Sequence, residues 1–122
     1  MGRLILLAAS ISTLAQPPVV SPAWLSAQRG IIVVEASWNS SKDYDAGHIP
    51  GAIHVDTDVF ENGSPRWHLR PVAELHAAIG RLGIRANSTV VVYSVRTIAA
   101  ARVWWVLSYA GVKDVRYLDC GL

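Results

Sequence analysis

The chain has a single cysteine, Cys120, among its 122 residues. One thiol cannot form an internal disulfide, and it cannot supply a metal site that is built from several thiolates. The four histidines also lack the spacing of a metal motif, because no two of them stand four residues apart around a glutamate. The sequence therefore predicts neither a bound metal nor a cofactor.

Charged residues are scarce as well, at 16% of the chain, whereas 52% of the residues are hydrophobic. This composition is typical of one small folded domain. Acids predominate between residues 31 and 61, and bases predominate from residue 62 onward, which favours a small anionic ligand on the basic half. No segment of the sequence is rich in lysine and arginine, and this argues against a nucleic-acid partner. We expect most of the five tryptophans to lie in the core.

The first residues contain an apolar run that is short for a membrane span. Arg3 precedes a largely apolar segment over residues 4–15, which ends at Ala15. This order is typical of a secretory signal peptide, whereas a transmembrane helix needs about 20 apolar residues. The alternative is a first helix that packs on the domain, so export and a cytoplasmic location both remain open. We predict residues 1–18 as a signal peptide or extension with a proline linker, and residues 19–122 as the domain.

Apolar runs alternate with amphipathic segments along that domain. Such runs predict strands, and amphipathic segments with serine or proline before them predict helices. Strands are expected at residues 19–20, 31–36, 52–55, 90–93 and 115–118, and helices at 23–28, 40–47, 71–82 and from the loop after Tyr93 to about 110. This alternation predicts a three-layer α/β fold with a parallel sheet of about five strands.

Local patterns add expectations about single residues. Ser40 with Asp43 predicts a capping box for the second helix. His48–Gly51 predicts a type II turn, in which the glycine supplies the positive φ. Residues 56–70 are polar and predict an exposed loop. In the third helix, one apolar face is expected to contain Val72, Leu75, Ile79 and Leu82. The last helix is apolar on nearly every side, which predicts that it packs in the interior.

Several motifs together resemble the rhodanese family of sulfurtransferases. Tyr44–Ala52 (YDAGHIPGA) is similar to the first family motif, and Ala99–Trp105 and Leu118–Leu122 are similar to its closing half. The AAARVWW form is most similar to the N-terminal domain of tandem thiosulfate sulfurtransferases, in which the second domain usually has the catalytic cysteine. Catalytic members take a sulfane sulfur from a donor such as thiosulfate onto a cysteine directly after the central strand, and pass it to cyanide or a thiol.

The resemblance places the family nucleophile at Ser94, directly after Tyr93. Sulfur transfer needs a thiolate, because an alcohol stays protonated there and cannot hold a persulfide. The segment SVRTIA also has no glycine, whereas an anion cradle needs backbone angles that glycine adopts at little cost. A serine nucleophile would need a histidine base held by a third group, and no histidine motif accompanies Ser94. These features predict a loop that does not catalyse.

Other residues are candidates for function. Cys120 is the one thiol that could carry sulfur instead, and a small residue tolerated in the last turn is the simpler interpretation. Arg96, with Thr97 beside it, is the candidate for holding an anion at the loop, and a solvated charge is the alternative. Arg102 is expected to pair with a buried acid or to extend to solvent. His48 is expected to be a structural hydrogen bonder at its turn.

The resemblance also implies that family domains continue beyond Leu122 with a tryptophan-bearing segment and a further helix. We therefore expect a C-terminally truncated domain, either a fragment of a tandem protein or a shortened copy whose apolar face awaits a partner. The leading hypothesis is a non-catalytic rhodanese module of thiosulfate sulfurtransferase type, with a second rhodanese domain or another protein as its partner. The alternatives are an active sulfurtransferase that uses Cys120, and a module that binds an anion or a partner.

Overall fold

The computed structural model of the chain describes residues 18–63, 66–95 and 97–119. The segment predicted as a signal peptide lies outside these ranges up to residue 17, and so do Arg96 and Cys120. Within the described ranges, none of the helices combines the length and the apolar composition that crossing a membrane requires.

A five-stranded parallel sheet forms the centre of the described chain. The strands are β1 (Val19–Val20), β2 (Ile32–Ser37), β3 (Ile53–Asp56), β4 (Thr89–Tyr93) and β5 (Asp114–Leu118), and their order is β1-β5-β4-β2-β3. Every pair of neighbours is parallel. The predicted fold class is confirmed, because a parallel sheet requires crossover connections and the helices between the strands provide them.

The helices are α1 (Pro22–Ser26), α2 (Lys42–Ala46), α3 (Val72–Arg81) and α4 (Thr97–Tyr109), with a single 3₁₀ turn at Thr57–Val59. The start of α1 confirms the expected cap, since the Ser21 hydroxyl accepts a hydrogen bond from the Trp24 amide at 3.0 Å. The capping box predicted at Ser40 is wrong. The helix begins one residue later, after Ser41, and the Ser40 hydroxyl instead accepts from the Lys42 amide at 3.1 Å.

Helices cover the sheet on both faces, as the three-layer prediction requires. The thick face is covered by α3 and α4, whose buried side chains include Leu75, Ile79 and Leu107. The thin face has a smaller buried cluster, against which Trp24 and Leu25 of α1 pack. The buried residues of this thin-face cluster are Val20, Ala52, Val91, Tyr93 and Leu118. A strand such as β4 is buried on both sides, which explains its run of valines.

Burial along α3 and α4 corrects two expectations. Val72 is 53% exposed, although the helical period assigned it to the apolar face of α3. The helix α4 is not interior on every side, because Ile98, Trp105 and Tyr109 are exposed. Hydrophobic periodicity gives the direction of a side chain but not whether another element covers that turn, and these side chains are covered only in part.

The tryptophans also differ from the expectation that most lie in the core. Within the described ranges none of the five is fully buried, and Trp67 and Trp105 are exposed. An indole is large enough to pack partly against the domain while part of its ring stays exposed.

The segment from Asp56 to Arg70 is less exposed than its polar composition predicted. Phe60 and Glu61 are almost completely buried, with 1% and 2% of their surface exposed, and Glu61 forms an isolated bridge with Leu69. Two buried anchors therefore fix the described part of this loop against the domain.

Candidate functional site

The strand order places a crevice at the carboxyl ends of β2 and β4. These two strands are neighbours, but the chain leaves β2 toward β3 on one side and leaves β4 toward β5 on the other. At such a switch point the two outgoing connections diverge, and open α/β sheets bind their ligands there. The residues that follow β2 and β4 are therefore the first candidates for function.

Ser94 follows β4 directly and is half-buried, and Val95 after it is 60% exposed. The helix α4 then begins at Thr97. The sequence prediction thus places Ser94 correctly in space, between the end of a central strand and the start of a helix. Arg96 and Cys120 lie outside the described residues, so their predicted roles stay predictions.

A cleft of about 680 Å³ lies at the same edge of the sheet. Trp38 and Asn39 follow β2, Ile98 belongs to the first turn of α4, and the remaining wall comes from the loop before α3 and from the middle of α4. We call it the indole cleft, and it is lined by Trp38, Asn39, Glu61, Arg66, Trp67, Ile98 and Arg102.

An ion pair forms the floor of the indole cleft. The Arg102 Nε–H donates to Glu61 Oε2 at 2.9 Å, and the Glu61 side chain is 2% exposed. Arg102 also donates through Nη2 to the Trp67 carbonyl at 3.2 Å, and its guanidinium lies 5.5 Å from the centre of the Trp105 ring. The pairing of Arg102 with a buried acid is therefore confirmed, and Glu61 is the acid.

Two residues of the cleft have an unusual backbone conformation. Asn39 and Trp67 are the non-glycine residues with positive φ in the described ranges, at +52° and +48°. Asparagine tolerates this region, but a bulky residue such as tryptophan rarely adopts it. Hydrogen bonds on both sides hold Trp67 there, since its amide donates to the Gly63 carbonyl at 2.7 Å and its carbonyl accepts from Arg102.

A second polar cluster lies on the thin face of the sheet, where β2 pairs with β3. The His54 Nδ1 is 3.0 Å from Glu35 Oε2, and its Nε2 is 3.4 Å from the Ser37 hydroxyl. Although the order resembles a serine–histidine–acid triad, the Ser37 hydroxyl donates to the Ser40 carbonyl and its proton is therefore committed. This cluster ties the end of β2 to β3 and is structural.

The YDAGHIPGA segment runs from the end of α2 through a tight turn to the start of β3. The Ala52 amide donates to the Ile49 carbonyl at 2.9 Å with Gly51 at φ +82°, which confirms the predicted turn. The Tyr44 hydroxyl donates to the Ala52 carbonyl at 2.7 Å. His48 is a structural hydrogen bonder as expected, because its Nδ1 lies 2.7 Å from the Tyr44 carbonyl and its ring stacks on Tyr44.

The sequence indicates where Ser94 and Arg102 lie but not the walls of the indole cleft. It predicts only that most tryptophans lie in the core and that residues 56–70, which include Arg66 and Trp67, form an exposed loop. No local motif marks these residues, since only the packing of the loop before α3 beside the end of β2 brings them together. Within the described ranges, no group of three or more histidine, aspartate and glutamate side chains could hold a metal ion.

Comparisons with known proteins agree with the geometry. Residues 21–122 match the model of the rhodanese-like domain. The chain is 45% identical to the thiosulfate sulfurtransferase YnjE of Escherichia coli strain K12 over 73% of its own length and 20% of that protein. It is 39% identical to thiosulfate/3-mercaptopyruvate sulfurtransferase 2 of Arabidopsis thaliana over 93% of its own length and 36% of that protein.

Solved structures show the same similarity in three dimensions. The crystal structure of YnjE superposes with a TM-score of 0.76 at 38% identity, and the match covers 84% of this chain and 27% of that one. An anaerobic ergothioneine biosynthesis enzyme from Chlorobium limicola superposes with a TM-score of 0.75 at 31% identity, over 84% of this chain and 30% of that one. The chain thus spans less than half the length of these relatives.

Proposed function

The chain belongs to the rhodanese-like domain family, and from that premise we propose that it is a thiosulfate sulfurtransferase-type module that does not transfer sulfur by itself. The observation that carries this proposal is Ser94, which stands directly after β4 at the switch point of the sheet. The family resemblance puts the sulfur-carrying cysteine at this position.

The chemistry of the two side chains supports the proposal. A cysteine in this position loses its proton easily near positive groups or helix amides, and its thiolate attacks the sulfane sulfur of a donor such as thiosulfate. The S–S bond of thiosulfate breaks, sulfite leaves, and the transferred sulfur stays on the cysteine as a persulfide. The hydroxyl of Ser94 has no comparable thiolate-like form. A serine in place of the cysteine therefore removes both the nucleophile and the group that carries the sulfur.

A second rhodanese-like domain is the partner that best fits this module. The sulfurtransferases named above are several times longer than the part of them that this chain matches. The exposed side chains Ile98, Trp105 and Tyr109 of α4 form an apolar stripe, and such stripes commonly mark interaction surfaces. We propose that the module packs against a catalytic rhodanese-like domain through this stripe and stabilises it.

The direct test is a thiosulfate:cyanide sulfurtransfer assay on the purified chain and on the Cys120→Ser variant. We expect no turnover above the uncatalysed rate in either protein, because neither has a thiolate after β4. Mass spectrometry after incubation with thiosulfate should likewise show no added sulfur atom. Turnover or a persulfide that vanishes in Cys120→Ser would overturn the proposal and make Cys120 the sulfur carrier.

A Ser94→Cys variant tests the assigned position. In a Cys120→Ser background, the new cysteine is the one thiol of the chain, so any added sulfur must be on it. We expect a thiosulfate-dependent persulfide at residue 94, with slow turnover because the segment after it has no glycine to form an anion cradle. Failure to load sulfur in this folded variant would contradict the placement of the family site at Ser94.

A further inference from the structure

We propose that the indole cleft is a binding site for a small aromatic anion, a flat ring that bears one carboxylate or sulfonate group. The site does not include Ser94, so it would bind its ligand whether or not the chain transfers sulfur. Its volume of about 680 Å³ falls within the range of about 300–1,000 Å³ that is typical of small-molecule sites.

The charges of the cleft leave one cation for a ligand. Glu61 and Arg102 neutralise one another in the ion pair at 2.9 Å. Arg66 is exposed, lines the cleft and has no ion-pair partner in the described part of the chain. The net charge of the lining side chains is therefore positive by one unit, which matches a ligand with a single negative group.

The walls of the cleft favour a flat apolar body. The indoles of Trp38 and Trp67 and the side chain of Ile98 supply the apolar lining, and Ile98 is 65% exposed. Aromatic rings stack on such surfaces with a preference beyond their buried area. An inorganic anion could bind Arg66, but it would leave these apolar side chains exposed to water.

The strained backbone at Trp67 supports a role for its ring. A tryptophan at φ +48° costs free energy that an asparagine or glycine would avoid, and such strain persists where surrounding bonds enforce it. Here the carbonyl of Trp67 is held by Arg102, and its amide is held by Gly63. The result is an indole that lines the cleft and is 46% exposed.

The test is a titration of the full chain with 2-naphthoate, followed by the indole N–H resonances in ¹H–¹⁵N spectra. We expect the Trp38 and Trp67 resonances to shift with one common dissociation constant. The Trp24 resonance should stay unchanged, because its ring lies on the thin face beneath Arg116. Assignments come from single Trp→Phe variants. Equal shifts at all three rings would show non-specific binding and overturn the proposal.

Three further ligands separate ring from charge. The saturated decahydronaphthalene acid keeps the charge without an aromatic ring, 2-naphthylmethanol keeps the ring without the charge, and thiosulfate has charge alone. All three should bind at least threefold more weakly than 2-naphthoate, since each lacks one of the two contacts. Equal affinity of thiosulfate would make the cleft a simple anion site, and equal affinity of the alcohol would make it an apolar pocket.

Matched variants locate the site. Arg66→Met should weaken 2-naphthoate binding about tenfold through loss of the charged contact. Arg29→Met is the control, because Arg29 is also exposed but does not line the cleft, and it should have no effect. Trp67→Asn removes the ring at a backbone angle that asparagine tolerates, and should weaken binding about threefold to tenfold. An equal effect of Arg29→Met and Arg66→Met, or unchanged affinity in Trp67→Asn, would contradict the proposal.

Discussion

At the scale of single residues, the Glu61–Arg102 pair combines a buried acid with a base that reaches the surface. The side chain of Glu61 is 2% exposed and that of Arg102 is 32% exposed. Removal of the base alone leaves an almost completely buried carboxylate without its counter-charge, which is more costly than loss of the ion pair itself. We predict that Arg102→Met lowers the free energy of unfolding by about 2–4 kcal/mol in urea denaturation.

The double variant distinguishes this cause from a packing effect. Addition of Glu61→Gln to Arg102→Met removes the stranded charge, so the double variant should be more stable than Arg102→Met alone by about 1 kcal/mol or more. If the double variant is no more stable, the loss in Arg102→Met comes from the packing of its alkyl chain and not from the buried charge.

The same pair shows what a sequence can say about one residue. An arginine on an apolar helix is expected either to pair with a buried acid or to extend to solvent, and the structure shows the first arrangement. The identity of the acid was not predictable, because Glu61 is 41 residues away along the sequence. It also lies in a loop whose polar composition is typical of a solvent-exposed segment. For Trp67 no signal existed at all, since its positive φ depends on contacts to Gly63 and Arg102 that form only in the folded state.

At the scale of elements, two glycines of α3 have opposite roles. Gly80 lies within the helix, and a Cβ built on it meets nothing within 4 Å. Gly83 follows the helix at φ +82° and also has open space around it. We predict that Gly80→Ala raises the free energy of unfolding by about 0.5–1 kcal/mol, because alanine lowers the entropy of the unfolded chain.

Gly83→Ala is the matched counterpart, since it adds the same methyl group three residues later, also without a clash. It should lower the free energy of unfolding by about 1 kcal/mol, because an alanine is strained at that positive φ. Thermal denaturation of both variants gives the comparison. Shifts of the same sign would show that the backbone angle at Gly83 does not govern the end of α3.

Strands were more predictable than the surfaces of helices. The valines of β4 are buried and alternate between the two faces of the sheet, so an unbroken apolar run is sufficient to identify this strand. The composition of α4 led to the wrong expectation of a fully interior helix. Its sequence is apolar on nearly every side, but which sides are covered depends on elements that α4 itself does not specify.

At the scale of the whole molecule, strand β4 joins the two faces of the sheet. Val90 and Val92 belong to the thick-face cluster, whereas Val91 and Tyr93 belong to the thin-face cluster. The alternation of side chains along a strand makes this division unavoidable. Neither face can unfold without removing the strand that the other face needs, so the domain should unfold in one cooperative transition.

One substitution on each face tests this coupling. Leu107 of α4 is completely buried on the thick face, and Leu118 of β5 is 3% exposed on the thin face. Leu107→Ala and Leu118→Ala should each lower the free energy of unfolding by about 2–5 kcal/mol through lost burial and a residual cavity.

Because both substitutions act on the same transition, the midpoint in urea should fall while the slope stays unchanged. The unfolding curves from circular dichroism and tryptophan fluorescence should coincide. A separate early transition in Leu118→Ala, in which tryptophan fluorescence changes before the circular dichroism, would show instead that the thin face unfolds independently. The domain would then have a stable half, built on α3 and α4, and a labile half on the thin face, where α1 packs.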